Sequence, residues 1–114
     1  MPIKNCVIDG IFAGELIEHL ENPGLFLSEC KRVLKRNGVI IITTPNPFSF
    51  EKRGLFHKDH VMCFTLYHLE NLVKRYFRIV DRGYCEIYVR HPLRILEKIF
   101  PLKRWHIYIV GKKV

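Results

Sequence analysis

The segment from Asp9 to Asn46 constrains the fold more than any other part of the sequence, because two apolar runs flank a helical pattern. The run Ile8 to Phe12 predicts a short strand. Asn22 and Pro23 are typical of a helix start, with an N-cap residue followed by proline at the first helical position. The β-branched run Val39 to Thr44 predicts a strand buried on both faces of a parallel sheet. The whole segment therefore predicts a βαβ unit with a right-handed crossover.

The helix after Pro23 is predicted from the spacing of its apolar residues. These recur every three or four positions and would form one buried face: Leu25, Phe26, Cys30, Val33 and Leu34. Gly38 is predicted to end this helix in a left-handed backbone conformation, which glycine adopts without steric cost. The polar residues between the apolar ones would face water.

The second half of the sequence predicts another helix and further strands. Thr65 is a candidate N-cap for a helix whose apolar spacing extends to Tyr76. The remaining predicted elements are a strand region Phe77–Val80 turning at Asp81–Gly83, a strand Tyr84–Arg90, a helix Leu93–Phe100 and a strand Trp105–Val110. Residues 1–114 would form one α/β domain, with a sheet of about four strands and helices between them.

The composition indicates a folded domain without a membrane span. The chain has 114 residues, of which 48% are hydrophobic and 26% are charged. No apolar run approaches the roughly 20 residues that a membrane-spanning helix requires, and the N-terminus lacks a signal-peptide core, so a cytoplasmic location is expected. The four cysteines, Cys6, Cys30, Cys63 and Cys85, contain no C-x-x-C pair and are predicted to be reduced, buried thiols.

The net charge of +8 leaves two interpretations open. A basic surface attracts polyanions such as RNA or anionic lipid head groups. Solvated lysine and arginine side chains on a protein that binds neither would give the same composition. The basic excess lies mainly beyond residue 50, whereas the segment from Asp9 to Glu29 is acidic.

Glu15, Glu18 and His19 form the pattern E-x-x-E-H at the end of the first predicted strand. On a helical turn these positions share one face, which would bring two carboxylates and an imidazole together. Such a set could bind magnesium, manganese, iron or zinc, although a solvated acidic helix start fits the same pattern. The stretch from Thr44 to Pro47 ends the next strand, and ligands in α/β sheets bind at the carboxyl ends of strands.

The combined motifs resemble the second half of a class I S-adenosylmethionine-dependent methyltransferase of the type 11/23-like kind. The matching residues are Asp9, Glu15, Glu18-His19-Leu20, Arg32-Val33-Leu34-Lys35, Gly38 and Thr44-Pro45-Asn46. In that family such a stretch forms the fourth strand, the following helix and the fifth strand. The resemblance implies a partial Rossmann-like methyltransferase sheet, containing the last four strands with the final strands antiparallel, and flanking helices. Asn37 replaces a common glycine and tolerates left-handed backbone.

The resemblance also implies cofactors and a reaction. S-adenosylmethionine would bind with Ala13, Gly14 and Glu15 forming one wall of its site, and the methyl group would pass to an oxygen. Some relatives, including small-RNA 2′-O-methyltransferases, hold a divalent metal with E-x-x-E-H and a later histidine. By that likeness Glu15, Glu18, His19 and His60 would be metal ligands, and the acceptor would be RNA or a small-molecule hydroxyl. The resemblance identifies no catalytic residue.

The glycine-rich loop that cradles the cofactor in this family has no counterpart in the sequence, and would precede residue 1. The chain alone is therefore expected to be a weak or inactive enzyme. The strand at Ile8 to Phe12 would expose an unpaired edge, which predicts a separately encoded N-terminal half or a homodimer as partner. The alternative is a non-catalytic remnant or interaction module, with a basic surface that binds a polyanion or a partner chain.

Overall fold

A computed structural model describes residues 2–46, 63–85 and 106–114. The described elements follow in the order β1 (Ile8–Gly14), a 3-10 turn (Ile17–His19), α1 (Pro23–Val33), β2 (Leu34–Pro45), α2 (Leu66–Val73), β3 (Arg78–Cys85) and β4 (His106–Lys112). The alternation of strands and helices confirms the predicted α/β class. The predicted helix Leu93–Phe100, most of the predicted strand Tyr84–Arg90 and the residue His60 lie outside the described residues.

The four described strands form one sheet in the order β1-β2-β4-β3. β1 and β2 are parallel, with Ala13 opposite Ile42. β4 is antiparallel to both of its neighbours, with Ile109 opposite Ile42 on β2 and opposite Arg82 on β3. The antiparallel pairing of the final strands is as predicted. Among the described residues β1 pairs only with β2, so its outer edge carries no strand.

The first helix begins where the sequence predicts and ends earlier. The Asn22 side chain accepts a hydrogen bond of 3.0 Å from the Leu25 backbone N–H, which caps α1. The prediction that Gly38 ends the helix is wrong. The helix α1 ends at Val33, and Gly38 lies within β2, which begins at Leu34. Asn37 is the left-handed residue, with φ of 68°. Gly38 serves close packing instead, since an added Cβ would lie 2.8 Å from the Lys35 carbonyl oxygen.

The second helix and the third strand also differ from their predicted bounds. Thr65 caps α2 as predicted, with its hydroxyl oxygen 3.1 Å from the His68 N–H, but α2 ends at Val73. The predicted turn at Asp81–Gly83 is wrong, because β3 runs through it without a break. The register of the β3–β4 pairing shifts between Ile79 and Asp81, and the strand remains paired with β4 on both sides of this shift.

The two faces of the sheet are covered unequally. Both helices pack on the face that carries Ile40 and Ile42 from β2 and Ile107 and Ile109 from β4, all fully buried. The opposite face, which we call the open face, is defined by the rows through Phe12, Ile41 and Val110. Phe12 is 69% exposed and Ile41 37% exposed. The prediction that the second strand is buried on both faces is therefore wrong.

The cysteines are all free, as predicted, but only Cys30 is buried, and Cys85 is half-buried. Cys30 is buried among the core residues, and burial raises the pKa of its thiol to about 11. Cys6 and Cys63 are exposed, which contradicts their predicted burial. Within the described part of the chain, no helix has the length and apolar character needed to cross a membrane.

Candidate functional site

Glu15 follows β1 at the edge where both parallel strands end. Its backbone is left-handed, with φ of 54°, a conformation that residues with a side chain rarely adopt. The backbone N–H donates to the Thr43 carbonyl oxygen at 3.0 Å and approaches the Thr43 hydroxyl at 3.3 Å. This contact with β2 fixes the turn and directs the chain away from the sheet. Strained backbone at the carboxyl end of a strand is often associated with function.

Glu18 lies in the 3-10 turn and is almost completely buried, with 2% of its surface exposed. Its Oε2 atom accepts a hydrogen bond of 2.8 Å from the hydroxyl of Thr44, the residue at the carboxyl end of β2. A buried carboxylate is costly unless donors satisfy it, and Thr44 satisfies one of its two oxygens. The hydrogen bond therefore ties the turn after β1 to the end of β2.

His106 joins these carboxylates although it is 91 residues further along the chain than Glu15. It begins β4, and because β4 is antiparallel to β2 its first residue lies opposite Pro45. The His106 Nε2 atom is 3.6 Å from Glu15 Oε1. Sequence reasoning missed this residue. The only local signal was a histidine directly before an apolar strand, which does not indicate which strand end it would approach.

The electrostatics of this cluster allow a carboxyl group to gain or lose its proton near neutral pH. Burial, followed by the negative charge of Glu18, raises the pKa of Glu15 to about 7. Burial lowers the pKa of His106, which favours its neutral form, although the charge of Glu18 opposes that shift. Cys85 lies in the same row as His106, and burial and the charge of Glu15 raise the pKa of its thiol.

Three buried polar atoms of this cluster have no hydrogen-bond partner among the described residues: Glu15 Oε1, Glu18 Oε1 and His106 Nδ1. Unsatisfied buried polar atoms are uncommon, and a group of them at one strand edge indicates a place for a ligand. Both carboxylate oxygens can accept a hydrogen bond or face a positive charge. The arrangement therefore suits a ligand that donates hydrogen bonds or carries positive charge.

The predicted metal ligands are only partly brought together. His19 Nε2 lies 3.8 Å from Glu18 Oε1, beyond hydrogen-bond distance. Across residues 2–46, 63–85 and 106–114, no three histidine, cysteine, aspartate or glutamate side chains are placed to hold a metal ion. The described residues alone thus do not fit a metal site. With His60 outside the described residues, the four-ligand site remains a prediction.

The residues predicted to contact the cofactor face different environments. Ala13 is buried in the core opposite Ile42, so its side chain is turned away from the open face. Gly14 is exposed at the end of β1, and the Phe12 ring lies 2.6 Å from where a Cβ of Gly14 would be. Gly14 and Glu15 therefore form the accessible part of the predicted cofactor wall.

Comparison with known proteins supports the resemblance. Residues 1–42 match the model of a methyltransferase domain family. A probable S-adenosylmethionine-dependent methyltransferase of Mycolicibacterium smegmatis is 38% identical over 50 residues, which is 44% of this chain and 20% of that protein. The chain therefore spans about a fifth of the length of this curated relative.

Solved structures extend the similarity in fold to nearly the whole chain. A SAM-dependent methyltransferase of Archaeoglobus fulgidus matches with a TM-score of 0.68 and 23% identity, over 97% of this chain and 62% of that one. A structure of a SAM-dependent methyltransferase of Thermotoga maritima, described as a possible histamine N-methyltransferase, matches with a TM-score of 0.71 and 19% identity, over 100% and 59%. The first part of the chain is thus similar in sequence to S-adenosylmethionine-dependent methyltransferases, and the chain as a whole shares the fold of such enzymes.

Proposed function

We propose that the chain supplies the acceptor side of a methyltransferase site and that the methyl group passes to an oxygen. The observation that carries the proposal is the pairing of Glu15 with His106, 3.6 Å apart, at the carboxyl ends of β1 and β2. An acceptor hydroxyl must lose its proton as its oxygen bonds to the methyl carbon. Glu15, with a pKa of about 7, would accept that proton near neutral pH.

His106 and Glu18 would position this base. A neutral His106 next to Glu15 Oε1 limits the orientations of the carboxyl group, and the hydrogen bond from Thr44 holds Glu18 behind it. Because both side chains are more buried than Glu15, they keep water from one side of the carboxyl group. We propose Glu15 as the catalytic residue and these two as positioning residues.

Two structural observations support the proposal that S-adenosylmethionine binds at this edge. Gly14 has no side chain and is exposed, and the adjacent Oε1 atoms of Glu15 and Glu18 are unsatisfied. Gly14 and Glu15 would hold the cofactor on one side, with the carboxylates facing its positive charge. When bound, S-adenosylmethionine supplies the methyl group as an electrophile attached to a sulfonium sulfur. The described residues form only one wall of such a site.

A partner that completes the domain is also proposed. Two observations support it: the outer edge of β1 carries no described strand, and the adjoining open face exposes Phe12 and Ile41. An unpaired edge beside exposed apolar side chains favours addition of a further strand and its covering helices. We propose a separately encoded chain with the front part of the domain as this partner, and a weakly active or inactive enzyme without it.

Titration with S-adenosylmethionine tests the proposal. We would compare the 114-residue chain with a chimaera in which the segment preceding the matched 50 residues of the Mycolicibacterium smegmatis relative is joined to it. The chimaera should bind the cofactor in a calorimeter and the chain alone should bind weakly. Failure of the chimaera to bind would contradict the proposed completion of the domain.

Transfer of a tritiated methyl group in the same chimaera tests the role of Glu15. The RNA fraction and the small-molecule fraction of a cell extract serve as separate acceptors. Glu15→Gln should bind the cofactor more weakly, because it loses a carboxylate that faces the positive charge, and at saturating cofactor it should transfer methyl groups at least about 100-fold more slowly, the usual effect of losing a general base. An unchanged rate in Glu15→Gln would overturn this role, and label on nitrogen instead of oxygen would overturn the proposed acceptor atom.

A further inference from the structure

Basic residues from three separate parts of the sequence meet at the end of the sheet opposite the candidate site. We call this group the basic pole and define it as Arg36, Lys74, Arg75, Arg78, Lys112 and Lys113. The sequence placed the basic excess in the second half of the chain. Arg36, from the first half, belongs to the same surface.

Backbone pairing places these residues side by side. Lys112 lies opposite Arg78 on one side and opposite Val39 on the other, in one row across β3, β4 and β2. The Asn37 N–H donates to the Lys113 carbonyl oxygen at 2.8 Å, which brings Arg36 to the same end. Neighbouring strands are about 4.8 Å apart, so these side chains originate close together.

The turn after α2 contributes two further cations to the basic pole. Lys74 and Arg75 lie in the turn that joins this helix to β3, and Tyr76 and Phe77 separate them from Arg78. Both are exposed. The hydrogen bond of 3.0 Å from the Phe77 N–H to the Val73 carbonyl oxygen closes this turn against the helix end. The turn therefore adds two exposed positive charges at the point where the chain enters β3, the strand that begins with Arg78.

The charges of the basic pole are not neutralised within the described structure. Elsewhere, basic residues pair with acids: Lys35 with Asp9 at 3.1 Å, and Arg82 with Glu70 at 3.0 Å. In the described ranges no carboxylate forms an ion pair with Arg36, Lys74, Arg75, Arg78 or Lys112. Lys113 differs, since its Nζ donates to the Leu34 carbonyl oxygen at 2.8 Å.

The basic pole is separate from the carboxylate cluster. β2 connects them, with Asn37 towards one end and Thr44 towards the other, and the seven residue steps between these two positions span about 23 Å. At physiological ionic strength, where the Debye length is about 8 Å, such a separation screens each group of charges from the other. A ligand at the basic pole would therefore be held independently of the site chemistry.

We infer that the basic pole binds the phosphate backbone of a nucleic acid strand. Five cations that form no ion pair with a described carboxylate, on one sheet end and its adjoining turn, complement a chain of evenly spaced negative charges. Because phosphates carry no base information, recognition through them alone gives similar affinity for RNA and DNA of one sequence. This surface is an addition to the proposed methyl transfer and does not depend on it.

Fluorescence anisotropy tests the inference with the 114-residue chain and fluorescein-labelled 20-nucleotide single strands of RNA and DNA. With four phosphate contacts and a slope of about −0.7 per contact, affinity should fall about 50-fold between 50 and 200 mM salt. Arg78→Gln should weaken binding several-fold and flatten the slope by about 0.7. Arg82→Gln is the matched control, because it removes the same charge from the same strand outside the basic pole.

Urea denaturation of both variants checks that their folds are equally stable, and the variant Lys112→Gln, at a half-buried position, provides a second readout if Arg78→Gln does not fold. Equal weakening by Arg82→Gln and Arg78→Gln would show that net charge alone drives binding and would overturn the inference. Binding that is independent of salt, or binding only to vesicles containing phosphatidylserine and not to either strand, would overturn it as well.

Discussion

Ile41 and Ile42 are neighbours on the same strand and have the same side chain, yet they lie in different environments. Ile42 is fully buried beneath the helices, whereas Ile41 is 37% exposed on the open face. The same contrast appears on β4, where Ile109 is buried and Val110 only partly so. Successive residues of a strand alternate between faces, so the difference reflects what covers each face and not the residues themselves.

The comparison indicates where the described structure would accept another element. The covered face is closed by α1 and α2, whose buried residues Leu27, Cys30, Leu69 and Val73 join those of the sheet. The open face has comparable apolar residues on β1 and β2 without a described helix above them. A sheet face rich in isoleucine, valine and phenylalanine lowers the solubility of a protein when it is exposed to water, unless another element or chain covers it.

The largest expected effect is a difference in stability between the same substitution on the covered face and on the open face. Ile42→Ala should lower the free energy of unfolding by about 2–5 kcal/mol, because it removes buried contacts and leaves a cavity. Ile41→Ala should cost less than about 1 kcal/mol, since part of this side chain already contacts water. Urea denaturation followed by circular dichroism measures both.

The two isoleucines are matched controls for each other, because the substitution and the strand are identical. If Ile41→Ala cost as much as Ile42→Ala, the open face would have to be covered in solution. A rise in that cost with protein concentration would identify the cover as a second copy of the chain.

The second prediction concerns Glu15, at the strand end where the two faces meet. Its pKa of about 7 lies above the ordinary value of 4.5, so the folded state holds a proton that the unfolded state releases between these values. Stability from this group is thus fully present below about pH 4.5 and is lost as the pH rises through 7. With allowance for partial exposure, the loss is about 2 kcal/mol.

Glu15→Gln should remove this dependence, and the difference in unfolding free energy between the two proteins, measured in urea from pH 4.5 to 8, isolates it. The lowered pKa of His106 has the opposite effect on stability. Below pH 6.5 the unfolded state binds a proton at His106 more tightly than the folded state, so stability from this group rises with pH. That contribution is common to both proteins. Parallel pH profiles would contradict the raised pKa, because they would show that Glu15 ionises near 4.5 in the folded protein as well.

The smallest expected effect compares two glycines on opposite faces. A Cβ on Gly111, on the covered face, would lie 2.8 Å from the Phe77 Cβ, so Gly111→Ala should cost about 1–2 kcal/mol. A Cβ on Gly10, on the open face, would meet nothing closer than the Val39 carbonyl oxygen at 3.6 Å. Gly10→Ala should therefore change stability by less than about 1 kcal/mol and in the stabilising direction.

Thermal unfolding of the two alanine variants provides the measurement. A destabilised Gly10→Ala would show that something approaches β1 closely from the open face. It would thereby support an associated chain on that face even if the change at Ile41 were small.

Local signals were strong in the first part of the chain. Asn22 followed by Pro23 determined where α1 starts, and Thr65 determined where α2 starts, because both side chains satisfy backbone N–H groups within their own helix. The end of α1 was missed. Leu34 continues the apolar spacing of the helix, but its backbone is extended and it begins β2. Apolar periodicity alone does not distinguish these states at the junction of two buried elements.

The prediction placed a turn within β3, again because a local sequence signal was followed without knowledge of the strand's neighbour. Asp81, Arg82 and Gly83 are residues typical of turns, so they indicated a break. Pairing with β4 overrides that preference, and the exposed hydrogen bond between the Tyr108 hydroxyl and Asp81 adds a cross-strand contact at 3.2 Å. Strand propensity depends strongly on such neighbours, which a single sequence does not specify.

The sequence by itself determined the class of fold, the βαβ unit and the carboxylates after its first strand, because caps, apolar periods and the E-x-x-E-H spacing act over a few residues. Only the tertiary structure decided that His106 lies beside Glu15, that Asn37 pairs with Lys113 and so brings Arg36 to the basic pole, and that the described residues leave one sheet face open. These contacts depend on strand order and direction. The position of β4 between β2 and β3 arises from long-range pairing, for which the local sequence carries no signal.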